Sequence, residues 1–359
     1  MKRTLLIILL ILTLLISLAT LLAAYGGMFN PRHFHSIPAI AAMTFPVWVI
    51  ITPLTALVCF FIKRKMALIP LITMVLCIGP FLDFCPLNFR FHKPEIENGF
   101  TLLTYNTYFE LNYLTEQRDS MTTTLDAILM ADADVVCMQE TVFSNKYYRK
   151  TLASPSLDSI EARYPYKVIA NPSLCVLSKY PVEKVENPAL PGATADLMIA
   201  DVTIRGKQVR IYSVHLQSIG LSDDDKELYM ELTKGKTDNN LRQAKSSLLS
   251  KLSLAFKNRA LQASRLKELI TGMPAENVII CGDFNDIPGC YAMRKLESAG
   301  LKNAYTHAGF GPSYTYRANR FYFHIDQVLY SSGLNPVYMD VINEGSSDHL
   351  PVLTYFEFK

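Results

Sequence analysis

Seven residues at five places in the chain carry side chains suited to one reaction. Asn106 follows Thr101-Leu-Leu-Thr-Tyr105, Glu140 follows Asp134-Val-Val-Cys-Met-Gln139, and His215 closes an apolar run at Val214. Asp283 and Asn285 follow Ile280-Cys-Gly282, and Asp348-His349 precede the last apolar segment. Hydrolysis of a phosphate ester needs a positioned water, charge neutralisation at the phosphoryl oxygens and help for the leaving oxygen. Glu140, Asp348 and Asn106 offer the oxygen donors that suit magnesium, a hard cation that asks for only one or two carboxylates. Asp283 and Asn285 are placed to hold the attacking water and a phosphoryl oxygen. His215 and His349 can donate to the phosphoryl group or exchange a proton near neutral pH. A lone strand-end histidine, or an Asp after Gly, is more often structural. Five polar strand ends that hold two of only seven histidines are harder to obtain from turn chemistry.

The elements that must position these groups are short apolar runs of strand type. Candidate strands cover 101–106, 134–139, 166–170, 174–178, 197–204, 208–216, 277–281, 325–330 and 352–358. Arg205-Gly206-Lys207 reads as a hairpin turn between two of them. Helical periodicity fills 122–130, 241–271 and 290–299, which makes the class α/β with mixed sheets. The connection 220–257 is long and starts with the charged Asp223-Asp-Asp-Lys-Glu227. Long connections are either solvated insertions or functional flaps facing substrate or membrane, and both readings stay open.

Residues 100–358 resemble the endonuclease/exonuclease/phosphatase superfamily, the deoxyribonuclease I-like fold. The likeness rests on Thr104-Tyr-Asn106, Asp134 to Glu140, Leu177-Ser-Lys-Tyr-Pro181, Ser213-Val-His215-Leu216, Gly282-Asp-Phe-Asn-Asp286, His324-Ile-Asp326 and Ser347-Asp-His-Leu-Pro-Val352, in that order. It implies a four-layer αββα sandwich with its site at one edge of the two sheets. It further implies Glu140 as principal metal ligand with Asn106 and Asp348 nearby, Asp283 as the group that aligns or deprotonates water, and Asn285 as a phosphate donor. His349 resembles the family's essential histidine, Asp326 the carboxylate that fixes its tautomer, and His215 the second histidine. Gln327 stands where the family often has an aromatic residue, and basic DNA-gripping loops are not identifiable.

The N-terminal region is of a different kind. No charge occurs in 4–25, 36–62 or 66–82, each near the roughly 20 apolar residues that cross a bilayer. The expectation is three transmembrane helices preceding the sandwich, with residues 1–85 as the anchor, 86–99 as a linker and 100–359 as the catalytic domain. The first run also suits a cleaved signal peptide, but two further apolar runs follow it without an obvious cleavage site. Lys2-Arg3 and Lys63-Arg64-Lys65 belong on the cytoplasmic side by the positive-inside rule, which makes the protein multi-pass with an extracytoplasmic catalytic domain.

Residues 1–85 carry +5 of the total +3, so the remainder carries −2. A slightly acidic domain fits phosphate-backbone binding poorly. None of the seven cysteines forms a CxxC pair, and Cys137, Cys175 and Cys281 sit in apolar runs as small buried hydrophobes.

The expected activity is that of a membrane-anchored, magnesium-dependent phosphoesterase, with manganese or calcium as alternative cations. A lipid head group or small phosphoester is favoured as substrate, and a tethered nuclease is the second reading. A non-catalytic receptor or scaffold would be marked by loss of a metal carboxylate or of His349, and neither is lost. No protein partner can be inferred.

Overall fold

The computed structural model describes residues 2–90, 92–110, 123–141, 143, 155–170, 173–192, 195–220, 241–318 and 322–359. Twelve strands form two six-stranded sheets among the described residues. The first sheet contains β1 (Gly99–Asn106), β2 (Val135–Gln139), β3 (Tyr166–Ala170), β4 (Leu174–Ser178), β11 (Leu334–Val341) and β12 (Val352–Phe358), in the order β11-β12-β1-β2-β4-β3. The second contains β5 (Val182–Glu186), β6 (Asp196–Ile204), β7 (Lys207–His215), β8 (Asn277–Asp283), β9 (Lys302–Asn303) and β10 (Asp326–Tyr330), in the order β5-β6-β7-β8-β10-β9.

Period-two alternation along these strands decides the layers. Leu102, Val135, Cys137, Ile211, Ile279, Cys281 and Val328 point between the sheets and form one core. Their neighbours Leu103, Val136 and Met138 face outward, under Leu125 and Ile128 of α6 (Thr124–Ala131) and Ile160 of α7 (Pro155–Arg163). On the other outer face Tyr212, Val214, Val278 and Ile280 lie under Ala263 and Leu266 of α8 (Leu241–Gly272) and Met293 of α9 (Tyr291–Glu297). Those are the four layers of the αββα sandwich. The hairpin expected at Arg205-Gly206 is present: both residues have positive φ, 51° and 79°, and Ile204 pairs with Lys207. This is the backbone that a two-residue hairpin turn demands.

Strands β5, β9 and β11, absent from the sequence expectation, are all sheet edges. Edge strands need not carry a two-sided apolar pattern, and β11 contains Pro336, which a central strand would not accept.

The N-terminal helices differ from the three uninterrupted spans expected. Helix α1 (Lys2–Tyr25) and helix α3 (Phe45–Ile62) are long and apolar enough to cross a membrane. The run 36–62 is broken at Thr44, which leaves the short α2 (Ile37–Met43) outside the span. The third run becomes two helices, α4 (Leu68–Leu76) and α5 (Ile78–Phe84), bent by 56° at Cys77. Pro80 has no N–H to offer the Leu76 carbonyl, and the Tyr25 hydroxyl donates to that carbonyl instead, at 2.5 Å. Thr13 meets Cys59 and Thr20 meets Thr52, so α1 and α3 run antiparallel.

Gly282 illustrates how closely β7 and β8 approach at the site. Its φ is +140°, and a Cβ there would stand 1.9 Å from the Val214 carbonyl oxygen. Gly282→Ala is expected to cost about 3 kcal/mol or more of stability, seen as a lower midpoint in thermal unfolding. An unchanged midpoint would contradict this packing.

Candidate active site

All eight candidate residues converge at one edge of the two sheets. Asn106, at the end of β1, donates its amide to Asp283 Oδ2 at 3.0 Å and to Glu140 Oε1 at 3.2 Å. The same Asp283 oxygen lies 3.7 Å from His215 Nε2 and 3.7 Å from His349 Nε2. Its other oxygen accepts the Asn285 backbone N–H at 2.7 Å. His215 Nε2 is also 3.6 Å from Glu140 Oε1. Asp283 is therefore the hub of the site, with an amide and two imidazoles around one carboxylate.

His349 is held from two sides. Its Nδ1 is 2.8 Å from Asp326 Oδ2, and its backbone N–H donates to Ser347 Oγ at 3.1 Å. The Ser347 hydroxyl donates to the Asn106 carbonyl at 2.8 Å, which carries Asp348 alongside β1. Asp326 starts β10, where the hydroxyl of Thr315 accepts the backbone N–H groups of Ile325 and Asp326. Tyr316 stands edge-on to the His349 ring, with 5.0 Å between centroids.

Two site residues have backbone that L-residues adopt at a cost. Glu140 has φ +48° and Asn285 φ +51°. The Glu140 carbonyl is fixed by the Phe109 N–H and the Thr107 hydroxyl. Asn285 is fixed by its amide, which donates to the Leu216 carbonyl at 3.0 Å. Both turns aim the side chain back across the ends of the strands.

Burial governs the charges. It raises the carboxyls of Glu140, Asp326 and Asp348 above their ordinary range; nearby Asp283 adds to each rise, and the imidazoles oppose it. For His349 burial alone would favour the neutral ring, yet the carboxylates of Asp326, Asp283 and Asp348 outweigh it and lift the imidazole to about 10.

Donor atoms of Asp283, Asp326 and His349 all lie within 4.8 Å of one another. Because Asp326 and His349 already bond to each other, this cluster suits proton handling better than metal coordination. Glu140 and Asp348 fit a cation differently. Both face a cleft of about 370 Å³, both are held up by burial, and the edge as a whole sets four carboxylates against two imidazoles. A divalent cation would balance that excess.

Four further features complete the site, of which Arg259, Thr315 and Tyr316 had no signal in the sequence. Arg259 of α8 is 1% exposed, with its guanidinium on Asp286 at 3.1 Å and over the Phe256 ring, and it lines the cleft. An arginine on a long helix reads as surface charge. Leu248 and Leu252, one helical turn apart on α8, also line the cleft, so the described end of the 220–257 connection faces the site; residues 221–240 lie outside the described residues. Thr315 and Tyr316 carry no motif signal at all. Gln327 is fully buried, and its amide donates to the His324 carbonyl at 3.0 Å.

A model of the endonuclease/exonuclease/phosphatase family matches residues 103–349, and a domain of unknown function matches residues 5–84. No curated protein matches the sequence. Among solved structures, the human Nocturnin catalytic domain is 18% identical with a TM-score of 0.46, covering 74% of this chain and 95% of that one. An endonuclease/exonuclease/phosphatase from Beutenbergia cavernae is 14% identical with a TM-score of 0.49, covering 73% and 72%. TDP2 of D. rerio complexed with single-strand DNA product is 16% identical with a TM-score of 0.45, covering 72% and 98%.

The Asp326–His349 contact sets a kinetic expectation. Asp326→Asn and His349→Ala should each slow the chemical step by on the order of a hundredfold or more, with a smaller effect on substrate affinity. Groups that share one role are not additive, so the double variant should be scarcely slower than the worse single one. Multiplicative losses in folded samples would show that the two side chains act independently.

Proposed function

The chain belongs to the endonuclease/exonuclease/phosphatase family and is a metal-dependent phosphoric ester hydrolase, and from that premise we propose that it is a membrane-anchored, magnesium-dependent phosphoesterase working outside the cytoplasm. The observation that carries this reading is the Asp283 hub, with Asn106, His215 and His349 around it and Glu140 beside it. In this reading Glu140 is the principal ligand of magnesium, with Asn106 and Asp348 nearby. When bound, the cation neutralises charge on the phosphoryl oxygens and supports the leaving oxygen.

The chain's own groups supply the rest. Asp283 accepts a hydrogen bond from the attacking water and takes its proton. His349, held cationic by Asp326, donates to a phosphoryl oxygen, and His215 faces the same centre. Asn285 offers the remaining donor to phosphate. Water adds to phosphorus as one ester P–O bond breaks, and the departing oxygen gains a proton equal to the one the water loses.

Placement of the N-terminal helices supports the anchor and its orientation. Contacts to the catalytic domain come from Gly27 against Gly289, Ser36 against Ser253 and Asp83 on Arg294. These residues sit at the ends of α1, the α1–α2 connection and α5, which share one side of the membrane if α1, α3 and the bent α4–α5 pair each cross. Lys63-Arg64-Lys65 follow the opposite end of α3, where the antiparallel arrangement also brings Lys2-Arg3. Cations at that end and the domain at the other satisfy the positive-inside rule. The side chains of α1 and α3 that face away from the bundle are exposed and apolar, such as Leu15 at 57% and Phe61 at 77%. A tethered nuclease is the second reading, disfavoured by the −2 charge of residues 86–359.

Two measurements check this reading. Chelator should abolish hydrolysis and magnesium restore it, while Glu140→Gln should lose on the order of a hundredfold or more at saturating magnesium; a fully active Glu140→Gln variant would reject the ligand assignment. Protease added to intact spheroplasts should reach a tag fused after Lys359, and protection of the tag in sealed right-side-out membranes would reverse the orientation.

A further inference from the structure

A second cavity, of about 550 Å³, adjoins the catalytic cleft. The two share three lining residues, Met43, Ile287 and Phe323. Ile287 is two positions from Asn285, so the catalytic groups stand at one side of this neck and the second cavity at the other. Both volumes fall within the roughly 300–1,000 Å³ typical of small-molecule sites.

The wall of the second cavity is mostly apolar, with Thr44, Ser313 and His324 as its polar members. Ala24 ends α1, Phe45 and Val47 begin α3, and Phe84 ends α5, while Pro288 and Tyr322 close it from the catalytic domain. Among the described residues, no Asp, Glu, Lys or Arg lines it. Its single titratable imidazole, His324, is buried, which lowers it to about 3 and leaves it neutral. His324 Nδ1 meets Ser313 Oγ at 2.8 Å, while its Nε2 has no hydrogen-bond partner. At the rim Tyr314 and Tyr322 pack edge to face and remain 39% and 60% exposed, as aromatic residues do at a membrane interface.

We propose that the substrate is a lipid phosphoester whose apolar chain lies in this second cavity while its phosphate reaches Glu140 and His349 through the neck formed by Met43, Ile287 and Phe323. The inference rests on the phosphoesterase reading and adds the substrate class to it. A soluble phosphoester has no use for an uncharged chamber bounded by the ends of membrane helices. A lipid does, since its chain is already at that depth and only its phosphate must cross to the polar edge.

The test uses the full chain in detergent at fixed concentration, with bis(p-nitrophenyl) phosphate as reporter substrate and n-alkyl phosphates from butyl to decyl as competing ligands. Burial of each methylene should tighten inhibition about three- to fourfold, so decyl phosphate should exceed butyl phosphate by more than about a hundredfold. Val47 lies at the rim and is 53% exposed, so Val47→Trp can obstruct the cavity without repacking a core; Ala42→Leu obstructs it from the buried side. In either variant that retains its thermal midpoint, the gain with chain length should collapse at least tenfold. A flat chain-length series in the wild type, or one unchanged in the folded variants, overturns the inference while Glu140-dependent reporter hydrolysis leaves the phosphoesterase reading standing. Failure of the wild type to hydrolyse the reporter with magnesium overturns that reading, and the inference with it.

Discussion

Three contacts at the site join one sheet to the other. Asn106 reaches Asp283, Asp326 reaches His349 and Glu140 approaches His215, and in each pair one partner belongs to the first sheet and the other to the second. The site therefore exists only when the two sheets stack in one register. That register is set by the apolar layer between them, where Cys137 and Cys281 meet two to three residues behind Glu140 and Asp283. Groups that would be costly to bury alone are tolerated here because each finds its partner from the opposite sheet. The polar edge in turn closes the end of the sandwich.

Strain at the strand ends follows from the same constraint. A strand that simply ran on would carry Glu140 and Asn285 past the edge, away from the facing sheet. A single residue with positive φ at each end turns the side chain back, and the energy is recovered in bonds such as Phe109 N–H to the Glu140 carbonyl and Asn285 N–H to Asp283. Asn285 accepts this backbone more readily than most residues do. Glu140 does not, and its presence there is explained by the charge it presents rather than by the turn it makes.

What could be read from the sequence was local. Buried strands such as 174–178 and 352–358 show in apolar runs, and α8 shows in periodicity to within one residue of its end. Asn106, Glu140, His215 and Asp283 were visible as polar residues closing such runs. The edge strands β5, β9 and β11 were not, because a strand paired on one side only needs no apolar alternation. The meeting of Asp326 with His349 followed from the family resemblance and not from spacing along the chain, since stacking of the sheets brings the two together. Arg259 and Leu252 were missed for a related reason: periodicity marks a core face of α8, and nothing along the chain tells which of its residues line the cleft.

The break in the second apolar run shows why hydropathy alone misplaced the membrane boundary. Residues 36–62 are uniformly uncharged, yet Thr44 and Pro46 divide them, and only the part after the break is long and apolar enough to cross a membrane. The part before it, α2, lies against the catalytic domain and supplies Met43 to the cleft. The apolar residues of α2 pack on protein while many of α3 are exposed, a difference that a hydropathy scale cannot distinguish. The same economy appears in 286–290, where Asp286 holds Arg259, Ile287 borders both cavities and Gly289 receives Gly27 so closely that no side chain fits between them. Five residues that leave β8 thereby fix the N-terminal helices against it. The N-terminal region thus contributes Met43 to the active-site cleft, and a change in how those helices sit would reach Asn285 through a segment with little room to give.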